Sequence, residues 1–251
     1  MNRILFEKGE ISGGRAVFSD ARAEHVLNVL HGAVGQTLKT GVIDGLAGTS
    51  VITGIRNLHE RAEGSAQRGS GLLAGEVEVE CSHTEPAPEP WFDLILALPR
   101  PRVLKRLLPQ LAALGAGKIV LAGAAKVEKA FWGAQLLREE VYRPLLVEGL
   151  MQCGATRLPG VRCERDFARY VRTALESEFA GRDRIVAHPG GETSGFRRPA
   201  AGFVLAIGPE GGWTDDEVAM LERCGFRRYS LGSRILRTDT ATVAIAARLM
   251  P

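Results

Sequence analysis

AIGPEGGWTDDEVAMLERCGFRRYSLGSRILRTDTATVAIAA, residues 206–247, decides how the rest of the chain is read. It completes an apolar strand, Phe203–Ile207, passes through a glycine-rich turn, Gly208-Pro-Glu-Gly-Gly212, and enters a helix. A second strand is expected near Arg227–Ser230, then a polar turn at Leu231–Arg237, then a helix of small residues. Two irregular loops therefore leave the ends of two strands, and each runs straight into a helix. In an open α/β sheet a small ligand sits at such strand ends.

In the first loop Pro209 fixes one φ. Gly211 and Gly212 permit backbone geometry closed to other residues and leave room for a ligand against the main chain. Thr214-Asp-Asp-Glu217 has the form of a capping box opening the next helix. A tight turn alone needs the same residues, so composition leaves cofactor binding and a structural turn both open. Asp215 and Asp216 at the helix start disfavour a phosphate there and suit a cationic or uncharged ligand. In the second loop Gly232 relieves the backbone, Ile235 and Leu236 offer apolar walls, and Arg234 and Arg237 offer charge. Thr238 is placed to cap a helix whose Ala241, Thr242, Ala244, Ala246 and Ala247 allow close packing.

The usual nucleotide fingerprints fail. LGAGKIV at Leu114–Val120 is not a P-loop, because Ala112 and Ile119 stand where that motif needs glycine and Ser/Thr. Gly115-Ala-Gly117 reads instead as a helix stop.

Working back, the alternation of strand and helix begins at Phe92. Phe92–Leu98 is a near-continuous apolar run, as expected of a strand covered on both faces. Val103–Leu114 carries an apolar stripe at helical spacing. Ile119–Ala122 is the next strand, Glu139–Cys153 and Asp166–Glu176 are helices, and Arg184–Ala187 is a strand. This pattern predicts a parallel sheet with helices on both sides. Ser82–Pro90, SHTEPAPEP, holds three prolines in nine residues and marks a linker. Before it, Arg15–Phe18, Gln36–Ile43, Thr49–Ile55 and Gly75–Cys81 read as strands, with one helix at Asp20–Leu30, a hairpin turn at Asp44-Gly45 and an exposed loop at His59–Gly71. Several short strands with one helix suggest a small barrel. The expected domains are 1–82, a linker 83–90, and 91–251.

The chain has 251 residues, 45% hydrophobic and 24% charged, within the range of soluble globular proteins. No apolar run reaches the ~20 residues of a membrane span, and MNRILFEKGE lacks a signal-peptide core, so a cytoplasmic protein with no membrane partner is expected. Four scattered cysteines without a Cys-x-x-Cys pair suggest neither a metal site nor disulfides, only buried thiols. Net charge is +3, but residues 1–82 carry eight Lys+Arg against ten Asp+Glu, and the remainder 24 against 19. Charge alone leaves an anionic partner and a solvated arginine-rich surface equally open.

IGPEGG followed about twenty residues later by LGSRILRTDTATVAIAA resembles the SPOUT class of RNA methyltransferases, in particular the bacterial 16S rRNA uridine N3-methyltransferase family. HVLNVL…GQTLKTGVIDG in the first domain and Glu148…Gln152-Cys153-Gly154…Arg157-Leu-Pro159 carry the resemblance along nearly the whole chain. It implies a PUA-like β-barrel before an α/β SPOUT domain with a C-terminal trefoil knot, a homodimer, and S-adenosylmethionine held by the knot loops. The implied cofactor residues are His188, Pro189, Ile207, Gly208, Pro209, Gly211, Gly212, Leu231, Gly232, Ile235, Leu236 and Arg237. The implied substrate is 16S rRNA or the small ribosomal subunit.

Methyl transfer from a sulfonium is an in-line displacement that needs alignment and no metal. Uracil N3 becomes a nucleophile only after losing its proton, and a guanidinium near O2 or O4 would favour the anion. Arg237 is the first candidate and Arg234 the second. Glu210 could accept the N3 proton, bind the cofactor amine, or serve the turn. His188 could be a base, though a structural role suits a strand end better. Thiolate attack by Cys153 is not required at a nitrogen. Arg100, Arg102, Lys105, Arg106 and Arg157 would hold RNA, or else the 100–106 cluster is a solvated helix start. Gln110 and Ala113 depart from the charged residues usual in the family. They leave two alternatives: a different rRNA or tRNA target, or a non-catalytic RNA-binding assembly factor.

Overall fold

The computed structural model describes residues 2–57, 75–193 and 202–250. The expected loop at His59–Gly71 lies outside them. The chain divides into two compact units: Met1–Pro88 with Leu150–Arg157, and Glu89–Gly149 with Leu158–Pro251.

Among its described residues the first unit is one six-stranded sheet and a helix. Its strands are β1 (Ile4–Phe6), β2 (Ile11–Ser12), β3 (Arg15–Phe18), β4 (Thr37–Val42), β5 (Ala47–Asn57) and β6 (Gly75–Glu85), paired in the order β1-β4-β5-β6-β3-β2. Only β1 and β4 pair in parallel. Helix α1 (Ala21–Asn28) starts at Asp20, whose carboxylate accepts from the Arg22 amide at 2.9 Å, and it buries Ala23, Val26 and Leu27. These pack with Phe6, Phe18, Leu38, Ile52, Val77 and Val79 into one core. Asp44 takes φ 54° in the turn between β4 and β5, which an aspartate tolerates better than most residues. Ser82–Glu85, read as linker, continue β6 instead, because Ser82, His83 and Glu85 pair onward with β5 as far as Ala47, with a register shift at Thr84. Residues 150–157 also belong to this unit: Asn2 and Arg3 amides donate to the Met151 carbonyl at 2.9 and 3.0 Å.

The second unit is α/β. Strands β7 (Phe92–Ala97), β8 (Ala116–Ala122), β9 (Gly160–Glu164), β10 (Asp183–Glu192), β11 (Phe203–Ile207) and β12 (Arg227–Tyr229) form an all-parallel sheet in the order β12-β10-β11-β7-β8-β9. Every residue of β7 and β11 is buried, which is what their unbroken apolar sequences require of strands covered on both faces. Its helices are α2 (Pro101–Ala113), α3 (Glu139–Cys153, of which residues 150–153 count with the first unit), α4 (Phe167–Thr173), α5 (Leu175–Glu178), α6 (Asp215–Arg223) and α7 (Thr238–Leu249). Gly115, at φ 81°, ends α2.

Three expectations need correction. The single helix at Asp166–Glu176 is two, broken at Ala174, whose φ of −125° leaves the helical region. The Arg184–Ala187 strand extends to Glu192, which pairs with Tyr229 across a register shift. The thiols are not buried: Cys153 and Cys163 are exposed, and Cys81 and Cys224 half-buried.

From β7 the chain steps through β8 to β9 at one edge, then crosses to β10 and β11 and ends the sheet with β12 at the other edge. Connections leaving β7 and β11, which are neighbours, thus run in opposite directions. A crevice is expected beyond their carboxyl ends.

Candidate functional site

A cleft of about 910 Å³ opens there. Four strand ends supply its lining: Arg100, Val103 and Arg106 after β7, Ala187–Pro189 in β10, Ile207–Trp213 from β11, and Tyr229–Leu231 with Arg234–Asp239 after β12, closed by Ala241 and Ile245 of α7. The volume falls in the range of small-molecule sites. Apolar surface is presented rather than hidden: Ile235 is 87% exposed, and Leu231 and Leu236 are exposed beside it.

The glycine turn is held from three directions. Gly212 takes φ 70°, and its amide donates to the Pro209 carbonyl at 2.8 Å. A Cβ on Gly208 would lie 2.9 Å from the Trp213 nitrogen, so the turn closes only on glycine. Lys126, in the loop after β8, donates from Nζ to the Gly211 carbonyl at 2.9 Å. Behind the turn the capping box forms as read: Thr214 Oγ1 accepts from the Glu217 amide at 3.3 Å, and Glu217 Oε2 accepts from the Thr214 amide at 2.8 Å. Buried Glu217 also accepts, through Oε1, from the Ala125 amide at 2.7 Å. One carboxylate therefore ties the α6 start to the loop that carries Lys126.

The second loop is anchored at both ends. The Ser230 hydroxyl accepts from the Gly232 amide at 3.2 Å and donates to the Gly232 carbonyl at 3.0 Å, with Gly232 at φ 133°. Thr238 does not cap α7. Arg237 occupies the N-cap position with no side-chain cap, and Thr238, the first helical residue, donates its hydroxyl to the Gly208 carbonyl at 3.3 Å. Helix α7 packs on α2 and β11.

Eleven of the twelve cofactor residues inferred from sequence line this one cleft: His188, Pro189, Ile207, Gly208, Pro209, Gly211, Gly212, Leu231, Ile235, Leu236 and Arg237. Gly232 shapes the loop without lining it. His188 Nδ1 accepts from the Gly190 amide at 3.1 Å, which puts the proton of the neutral ring on Nε2 and gives the ring a structural use. Of the proposed catalytic residues, Arg234, Arg237 and Glu210 all line the cleft. Glu210 Oε1 accepts from the Arg100 amide at 3.1 Å and so joins the glycine turn to the start of α2.

The residues read as RNA contacts are divided. Arg100 and Arg106 line the cleft, but Arg106 pairs with Asp239 of α7 at 2.8 Å. Arg102 and Lys105 are exposed on α2 outside the cleft lining. Arg157 lies in the other unit, where its guanidinium donates to the Pro88 and Ala87 carbonyls at 3.1 and 3.4 Å. Gln110 and Ala113 are exposed on α2 and do not line the cleft. Sequence reasoning missed Lys126, Asp239 and the Thr238 contact. Lys126 carries no local signal, whereas the TDT run at 238–240 offered hydroxyls and a carboxylate at a helix start.

The sequence profile of the RNA methyltransferase domain matches residues 86–250. Ribosomal RNA small subunit methyltransferase E of Treponema pallidum is 30% identical over 253 aligned positions, covering 98% of this chain and 90% of that protein. Ribosomal RNA small subunit methyltransferase E 1 of Borreliella burgdorferi is 26% identical over 152 positions, 60% of this chain and 63% of that one. The crystal structure of ribosomal RNA small subunit methyltransferase E from Neisseria gonorrhoeae, bound to S-adenosyl methionine, superposes with a TM-score of 0.70 at 20% identity, covering 99% and 96% of the two chains. That likeness is one of fold. On the profile match and the Treponema relative together, the chain belongs to the RNA methyltransferase family that includes ribosomal RNA small subunit methyltransferase E.

Proposed function

We propose that this chain transfers the methyl group of S-adenosylmethionine to N3 of a uridine in the 16S rRNA of the small ribosomal subunit. The observation that carries the reading is the meeting of two loops, 208–213 and 229–238, around one cleft, joined by the Thr238–Gly208 hydrogen bond. The lining fits that cofactor. Its exposed leucine and isoleucine side chains offer faces for an adenine, and the glycine turn lets a ligand approach main chain. When bound, the sulfonium supplies an electrophilic methyl group.

The chain's own residues supply alignment and charge. Arg237 and Arg234 stand exposed on the cleft wall and would stabilise negative charge developing on a uracil carbonyl oxygen as N3 loses its proton. Arg106 is less suited, since Asp239 already neutralises it. Glu210 serves the turn through the Arg100 amide. We read the remaining expectations in the same light: the first sheet as a PUA-like RNA-binding barrel, domains split near residues 82–91, the α7 segment passed through a trefoil knot, a homodimer, and a cytoplasmic location. The return of α7 from the edge strand β12 to α2 and β11 supports the knot. Gln110 and Ala113 stand away from the cleft, so their departure from the family gives no support to a catalytically idle protein.

The test is transfer of tritium from labelled S-adenosylmethionine to purified small subunits lacking the modification, with nucleoside mass spectrometry of the product. Labelled 3-methyluridine is expected. Measurable cofactor binding without label, or label in a different nucleoside, would overturn the target.

A further inference from the structure

Beside the cleft lies a second groove of about 540 Å³, lined by Arg100, Pro101, Arg102, Val103, Arg106 and Phe131. Arg100, Val103 and Arg106 line both, so the two share a wall along the first turns of α2. Phe131 belongs to the short 3-10 turn Lys129–Gly133 after β8 and is half-buried. Among the described residues its ring has no aromatic or cation–π partner, in contrast to the adjacent Trp132, over which Arg165 lies at 5.5 Å. The side chains of Arg100 and Arg102 likewise have no ion pair or hydrogen bond among the described residues. The segment bearing Phe131 also bears Lys126, so it is bound to the glycine turn through the Gly211 carbonyl.

We propose that this groove receives the acceptor nucleobase, a pyrimidine turned out of its strand, with its face on Phe131 and its flanking phosphates on Arg100 and Arg102. The proposal rests on the methyl-transfer reading above and specifies its substrate subsite. Three physical requirements select this occupant. The acceptor atom must come within bonding reach of the donor, which restricts it to surface continuous with the cleft. A base inside a helix cannot do so and must be extruded or single-stranded. The groove combines apolar walls and one ring with a rim of arginines, of which Arg106 is held by Asp239 and Arg100 and Arg102 keep their charge for a ligand, which matches a flat apolar face attached to an anionic backbone. An acidic or aliphatic peptide would use the charge or the ring, and a nucleotide uses both.

The experiment reads position and rate separately. Small-subunit RNA transcribed with 5-iodouridine in place of uridine is irradiated with the full-length protein, and the cross-linked peptide is mapped by mass spectrometry. A cross-link at Phe131 is expected. Cross-links confined to other residues, or none at all, would overturn the subsite. In parallel, Phe131→Ala should lower kcat/KM for RNA by about 10- to 100-fold, the effect of removing one base-stacking ring. Affinity for S-adenosylmethionine, measured by calorimetry, should stay within about twofold, since the ring does not line that cleft. Phe131→Trp should recover most of the rate. Unchanged RNA kinetics in Phe131→Ala, or parallel loss of cofactor affinity, would equally count against the assignment. A wild-type protein that cross-links at Phe131 yet methylates no small-subunit RNA would refute the reaction and keep the nucleobase site, so the two failures are told apart.

Discussion

Thr238 donates its hydroxyl to the Gly208 carbonyl at 3.3 Å across 30 residues of chain, and this bond closes the two ligand loops on each other. Thr238 is only 6% exposed, and its own carbonyl accepts from the Thr242 hydroxyl at 2.7 Å, so the contact is set in the packed start of α7. Thr238→Val keeps the shape and removes the donor, leaving a carbonyl without its partner. A loss of about 1–2 kcal/mol is expected, as for other buried unpaired polar groups. Calorimetry should show weaker cofactor binding in Thr238→Val and near-normal binding in Thr238→Ser. Equal binding by both variants would mean that the bond does not hold the loops.

Gly208 is the more sensitive end of that contact. A methyl group there would stand 2.9 Å from the Trp213 nitrogen and 3.2 Å from Gly212 Cα, so Gly208→Ala must open the turn. The expected cost is about 1–3 kcal/mol, of the order seen when a packed site is overfilled. Cofactor affinity should fall at least tenfold, roughly the 1.4 kcal/mol equivalence. Gly211 behaves differently: its Cβ would meet Lys126 Cδ at 3.1 Å, and a flexible side chain can move aside. Alanine at 211 should therefore be the milder change when the two variants are titrated together.

How far the sequence led can be judged at these residues. Phe203–Ile207 and the Phe92 run were legible because strands buried on both faces need continuous apolar sequence. Strand β9, GVRCE, was not, since an edge strand that is mostly exposed has no such requirement. The cleft lining was readable as motif, yet its supports were not. Lys126 sits 85 residues from the carbonyl it holds, and Arg106 is 133 residues from the Asp239 that neutralises it. A cluster of arginines written side by side carries no record of which will find a carboxylate in the fold.

Glu217 tests whether the support loop matters. Its two oxygens accept from the Thr214 and Ala125 amides at 2.8 and 2.7 Å. Glu217→Gln can satisfy one amide with its remaining oxygen but sets an NH2 against the other. A stability loss of about 1–2 kcal/mol is expected from the damaged cap and the unpaired amide. Urea denaturation gives the value directly. A midpoint unchanged from wild type would show that the loop is held by other contacts.

The first unit should respond to mild acid. His83 Nε2 lies 2.7 Å from Thr40 Oγ1, and burial, with the nearby Arg3 charge, holds its pKa below the usual 6.5. The unfolded chain gains a proton at this side chain as pH falls through about 6.5, and the folded chain does not until lower pH. Stability should therefore be fully present above that value and decline below it, before the Arg22-paired carboxylates of Glu10 and Asp20, both lowered from 4.5 and 3.8, begin to protonate. Denaturation midpoints between about pH 7.5 and 5.5 should show this slope, and His83→Gln should flatten it. An identical slope in the variant would assign the effect to another group.

Glu210 and Arg237 share the cleft, and their substitutions should separate alignment from charge. Glu210 Oε1 accepts from the Arg100 amide at 3.1 Å, a bond that glutamine can reproduce with its own oxygen. If the residue works by holding the turn to α2, Glu210→Gln keeps kcat within about threefold, because a neutral acceptor still binds a backbone donor. A carboxylate that removed the N3 proton would instead lose rate by about 10²–10⁴ in the same variant, the usual contribution of a general base. Arg237 has no comparable structural partner among the described residues, and it faces the cleft from the N-cap of α7. Arg237→Ala should lower kcat by about 10²–10³, the scale of losing one donor to a developing oxyanion. Cofactor affinity should fall far less. Raising the pH should recover part of that rate, since uracil N3 then ionises without help from the guanidinium, and Glu210→Gln should show no such recovery. A pH-independent defect in Arg237→Ala would assign the residue to cofactor binding alone.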